Sequence, residues 1–141
     1  MEKELTKFIM AHDTAFETAL AEIKTGKKRS HWMWYIFPQV DGLGYSSAAK
    51  YYAIKSREEA FQFYQDAYLG GHLITITSEL LKLPSNNATN IFGTPDDMKL
   101  YSSMTLFYLI SKNEVFKKVL DKFFDGSLDE KTIKILSEMK Y

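Results

Sequence analysis

The sequence predicts an all-α fold: a compact single domain of several helices. Three observations carry that expectation. Apolar residues recur at 3.6-residue spacing through most of the chain. The three prolines, Pro38, Pro84 and Pro95, all fall between periodic segments, where helices break. The 141 residues suit one domain over 1–141, with a core that removes roughly two-thirds of the unfolded chain's surface from water.

The first helix is expected from about Glu4 to Lys24. Leu5, Phe8, Ile9, Phe16, Ala19, Leu20 and Ile23 form one stripe, with His12 in its middle. Gly26 is the expected stop. Lys24, Lys27, Lys28 and Arg29 gather where positive charge suits the helix dipole. Next comes KKRSHWMWYIFPQV, residues 27–40. A lone strand there would leave buried backbone groups without a ladder partner. The stretch is therefore read as a short aromatic helix over about 31–37, with Ser30 as N-cap and Pro38 as terminator.

SREEA is a capping box, Ser56 as N-cap with Glu59 three residues on. It opens a helix with Ala60, Phe63, Tyr64 and Ala67 on one face, which LGG (69–71) is expected to interrupt. HLITITSELLKL then reads as helix, because Leu69, Leu73, Ile76, Leu80 and Leu83 keep helical spacing over a long run. TPDD opens the next helix: Thr94 as cap, Pro95 at the first helical position, Asp96 and Asp97 at the positive end of the dipole. Over about 95–111 apolar residues face almost every side, as in a central helix with neighbours all round. Val115, Phe116, Val119, Leu120, Phe123 and Phe124 give an amphipathic helix ended by Gly126. SLDE then caps a last helix carrying Ile133, Leu136 and Met139.

Composition narrows the function. Eighteen basic residues balance eighteen acidic ones, which argues against general nucleic-acid binding, where phosphate contacts call for a basic excess. The chain has no cysteine, which removes disulfides, thiolate nucleophiles and Cys-based zinc sites and fits a cytoplasmic protein. MEKELTKFIM lacks the apolar run of a signal peptide. No segment approaches the roughly 20 apolar residues of a membrane span.

GKKRSHWMWYIFPQVDGLGYS, YAIKSREEA, IFGTPDDMKLYSSMTLF and VLDKFFDGSLDEKT resemble the bacterial domain-of-unknown-function family 1810. The resemblance covers nearly the whole chain and implies a compact all-α fold without an assigned activity. Members are sometimes labelled calpastatin, a largely disordered kind of inhibitor that the aromatic core of this chain does not suit. The family's pattern has glutamine where His12 stands, tyrosine where Phe16 stands, and a His-Pro pair at Asp66 and Ala67.

Two clusters could carry chemistry. In the first, Trp32, Trp34 and Tyr35 could stack a flat ligand and Lys28 and Arg29 could meet an anion. His31 could handle a proton near neutral pH, and Gln39 could read a polar edge. The competing reading is a helix-terminal charge cluster followed by a core plug. In the second, Asp96, Lys99, Ser102 and Ser103 sit at the start of the central helix, with Lys99 and Ser103 on one face. Asp97 is explained by the helix terminus alone. His31, Lys99 and Ser103 are the catalytic candidates. Lys28, Arg29, Trp32, Trp34, Tyr35, Gln39, Asp96 and Ser102 are the binding candidates.

DGLGYS lacks the third glycine and the preceding strand of a dinucleotide fingerprint and reads as a turn. His12, His31 and His72 have no metal-ligand spacing, so no metal or cofactor is expected. Two functional readings stand. One is a pocket for a small anionic, aromatic ligand of nucleotide or ADP-ribose type, with or without catalysis. The other is a non-enzymatic helical module for protein–protein interaction. The oligomeric state is left open.

Overall fold

The computed structural model describes residues 2–139. Nine helices follow one another among them: α1 Glu2–Lys24, α2 Met33–Ile36, α3 Ser47–Tyr52, α4 Arg57–Gln65, α5 Ala67–Lys82, α6 Ala88–Phe92, α7 Asp96–Ser111, α8 Glu114–Phe124 and α9 Glu130–Glu138. The all-α expectation holds. The one β feature among the described residues is a parallel bridge, Val40 to Ile54. There Asp41 N–H donates to the Ile54 carbonyl and Ile54 N–H to the Gln39 carbonyl, each at 2.8 Å.

α1 buries Phe8, His12, Phe16, Ala19 and Ile23, the stripe that its spacing dictates. It packs on α5 and α2. Gly26 ends it with φ +80, a conformation that favours glycine. α7 lies at the centre, against α4, α6, α8 and α9. It buries Leu100, Ser103, Met104, Leu106 and Phe107 on successive sides, as expected of a helix apolar all round. α8 shows the clean amphipathic face and ends at Asp125 and Gly126, both with positive φ.

Several boundaries differ from expectation, each for a local reason. The helix break lies at Asp66 and not at LGG. The Asp66 carboxylate accepts from Tyr68 N–H (3.1 Å) and Leu69 N–H (2.8 Å), so α5 starts directly behind α4. Gly70 sits inside α5 because a Cβ there would lie 1.9 Å from the Tyr64 carbonyl oxygen. It permits the tight α4–α5 turn and interrupts nothing.

α2 is four residues long, with no side-chain cap; the Ser30 hydroxyl binds Glu22 instead. Thr94 does not cap α7, which starts at Asp96. Its early donors are taken by the carbonyls of Gly93 and Pro95 and by the Asp97 carboxylate. α9 starts behind Asp129, whose carboxylate accepts from Ser102 and Thr132 and caps no backbone donor. Its buried face is Thr132 and Leu136, and Ile133 faces outward. The short helices α3 and α6, capped by Ser46 and Asn87, were not foreseen.

Candidate functional site

The 27–32 segment is held by a residue that spacing does not single out. The Glu22 carboxylate, on the last turns of α1, accepts from Arg29 N–H (2.8 Å), Ser30 N–H (3.0 Å), Ser30 Oγ (2.5 Å) and Trp32 Nε1 (2.9 Å). Partial burial pushes its pKa up, but the bonds from Ser30, Arg29 and Trp32 outweigh this and bring it down to about 2. Trp32 is 1% exposed. It is core, and Glu22 satisfies its indole N–H.

Lys28 is also committed to the fold. Its side chain is 7% exposed, and its ammonium lies 2.8 Å from Asp96 Oδ2 and 5.0 Å from the centre of the Trp32 ring. It also donates to the Ser30 carbonyl. Asp96 in turn lies 3.3 Å from Lys99. The two sequence clusters therefore meet: Asp96 bridges the lysine of the 27–40 stretch and the lysine of α7.

Beyond that bridge the aromatic run opens outward. The Lys99 ammonium lies 5.4 Å from the Trp34 ring centre, and the exposed His31 stacks loosely on the same ring at 6.5 Å. Trp34 Nε1 is buried without a hydrogen-bond acceptor. Tyr35 donates to the His31 carbonyl (3.3 Å). Arg29 projects its side chain from the surface.

Lys99 forms part of the wall of a cleft of about 440 Å³, whose other polar lining is Gln39, Tyr45, Ser46, Ser102, Asp129 and Lys131. The loop after Pro38, the start of α7 and the start of α9 each contribute. Ser102 Oγ donates to Asp129 Oδ2 at 2.9 Å, with the Met98 carbonyl at 3.2 Å as a second acceptor. Ser103 is fully buried, its hydroxyl has no partner, and it does not line the cleft.

Of the three catalytic candidates, only Lys99 borders the cleft. His31 stands on the outer face of Trp34, and Ser103 points into the core region. Among the described residues no histidine is hydrogen-bonded to a serine, and no cluster of three or more histidines and carboxylates could hold a metal. The arrangement suits binding: a cationic group, an aromatic face, an amide and a carboxylate around one concavity. Asp129, Lys131 and Tyr45 were not anticipated, because chain segments far apart in sequence bring them together.

His12 serves as a link between three elements. Its Nε2 lies 2.8 Å from the Tyr35 carbonyl, which can only accept, so Nε2 carries the proton. Neutral His12 then accepts at Nδ1 from His72 Nδ1–H at 3.0 Å. This fixes both tautomers and ties α1 to α5 and to the aromatic helix α2. Burial lowers the His12 pKa to about 4 against the raising effect of the Tyr35 bond, and burial lowers that of His72 as well.

No helix among the described residues is long and apolar enough to cross a membrane. No curated protein matches the chain. The crystal structure of the conserved hypothetical protein Rv1873 from Mycobacterium tuberculosis is similar, with a TM-score of 0.93 and 38% sequence identity. The match covers 95% of this chain and 96% of that one. The family model described as "protein of unknown function (DUF1810)" matches residues 2–136. With nearly the whole chain inside that match and the all-helical fold in agreement, this protein belongs to the DUF1810 family.

Proposed function

We propose that the cleft beside Lys99 binds a small anionic ligand with an aromatic ring, of nucleotide or ADP-ribose type. The observation that supports this reading best is the placement of Lys99. Its ammonium sits between Asp96 and the Trp34 ring on the wall of the cleft, with a side chain 23% exposed. A phosphate entering there meets Lys99 together with Lys131, which has no ion-pair partner among the described residues. Tyr45 offers a flat face, and Gln39 and Asp129 offer acceptors for hydroxyl or amino groups. Arg29 and His31 do not line this cleft and take no part in the proposed contacts. Lys28, paired with Asp96 and lying over the Trp32 ring, supports the site from behind.

Tryptophan emission tests the reading directly. Trp32 and Trp34 are the two tryptophans of the chain, and only Trp34 has a cationic neighbour at the cleft. Nucleoside monophosphates and ADP-ribose are titrated while emission and thermal stability are followed. A bound anion draws Lys99 from the Trp34 ring and changes the emission. At about 100 times its Kd it stabilises the fold by about 2.7 kcal/mol. Lys99→Met is expected to weaken binding by about tenfold or more, the loss of one charge-assisted bond. If no ligand in the panel alters either signal, the reading is wrong.

A further inference from the structure

A second concavity, of about 780 Å³, lies on the other side of Tyr45. α1 contributes Lys7, α3 contributes Lys50 and Tyr51, and the segments flanking α3 contribute Asp41, Tyr45 and Lys55. Three lysines and one aspartate thus line this concavity, in a chain whose charges balance overall. None of the three lysines forms an ion pair among the described residues.

Tyr45 and Tyr51 are 85% and 58% exposed. The backbone that carries them is closely constrained. Gly42 has φ +105, and a Cβ on Gly44 would lie 2.5 Å from that of Ala49. The turn is therefore pressed onto α3, where Ser46 Oγ accepts from Ala49 N–H. The Val40–Ile54 bridge closes the loop behind it. Charge and ring are already adjacent: the Lys7 ammonium lies 5.1 Å from the Tyr51 ring centre, and the Lys55 ammonium donates to the Lys50 carbonyl at 3.1 Å.

We propose that this cleft is a separate binding site for a nucleoside polyphosphate. A triphosphate satisfies several ammonium groups at once, which a single carboxylate or monophosphate does not. The exposed tyrosines give the base a stacking face. The lysines act as point charges without bidentate geometry, so affinity falls steeply with salt. The site differs from the cleft beside Lys99 in its cations, Lys7, Lys50 and Lys55, while the two share Gly44 and Tyr45 as a common wall.

The test is calorimetric titration of the full chain with ATP, inorganic tripolyphosphate and adenosine at low ionic strength. ATP is expected to bind, tripolyphosphate to bind more weakly, and adenosine to give no measurable heat. The Lys50→Ala/Lys55→Ala double variant alters exposed side chains and is expected to fold normally, checked by its thermal transition. It should weaken ATP by about tenfold or more, whereas Lys99→Met should leave at least one ATP-binding event intact. Failure of both ATP and tripolyphosphate to bind overturns the proposal, as does ATP binding that the double variant does not change. Equal affinity for ATP and tripolyphosphate overturns the nucleoside half of it. Loss of all ATP binding in Lys99→Met places the nucleotide in the other cleft and overturns this site.

Discussion

Replacing Glu22 by alanine should destabilise this protein more than any other change to a partly exposed charged residue. The carboxylate holds four donors. Those of Arg29 and Ser30 lie near the surface, where water can replace most of what is lost. The Trp32 indole N–H cannot be rehydrated in the same way, because Trp32 is 1% exposed. A buried donor left unpaired costs about 1–3 kcal/mol, and a hydrogen bond to a charged acceptor contributes about as much. Counting Trp32 fully and the others at a fraction gives a loss of about 3 kcal/mol for Glu22→Ala. Glu22→Gln keeps an acceptor for the indole and should lose about 1 kcal/mol.

Urea unfolding followed by tryptophan emission reads both, since one of the two tryptophans, Trp32, makes the bond itself. The Glu22 pKa is about 2 in the fold against an ordinary 4.5. Its contribution is therefore complete above pH 4.5 and is lost as the pH falls towards 2. The alanine variant should lack that part of the acid transition. A Glu22→Ala midpoint equivalent to less than about 0.5 kcal/mol, the range of an ordinary surface change, would refute the reasoning.

Other consequences follow from His12 and the two glycines of α5. His12 has a folded pKa of about 4 against 6.5, so below pH 6.5 the unfolded chain binds more protons. Stability should fall by about 2 kcal/mol between pH 7.5 and pH 5, and His72, shifted in the same direction, adds to it. His12→Gln can still donate to Tyr35 and accept from His72, and should flatten that slope in urea titrations. An unchanged slope would assign the pH dependence elsewhere. Gly70→Ala drives a Cβ into the Tyr64 carbonyl and should cost about 3 kcal/mol or prevent folding. Gly71→Ala, with nothing within 4 Å of the added Cβ, should stabilise by about 0.5–1 kcal/mol. Thermal melts of the pair check the contrast, and similar melting points for the two variants would contradict the close α4–α5 packing.

Periodicity alone determined the long helices. A stripe such as Phe8–Phe16–Ala19–Ile23 is local information, and burying it has one efficient solution. The same holds for α8 and for the central α7, whose apolar residues on all sides demand neighbours on all sides. The short helices α3 and α6 have too few turns to show a stripe, and their caps, Ser46 and Asn87, resemble ordinary loop residues. LGG read as a break because glycine is a poor helix former; only the distance to the Tyr64 carbonyl shows why glycine is needed there.

The clefts were the least legible part. Lys28 could be named from the sequence as a charge beside an aromatic run, and Lys99 as a charge sharing a helix face with Ser103. Their sharing of Asp96 was set by how α7 packs against the 27–40 stretch. Glu22, Asp129 and Lys131 carry no local signature, because a carboxylate's partners are chosen by proximity in space. His12 and His72, sixty residues apart, met only when α1 docked on α5. The sequence by itself determined which surfaces must be buried. Tertiary packing decided which polar groups came to face one another, since hydrogen bonds and ion pairs act over a few ångströms and leave no period in the chain.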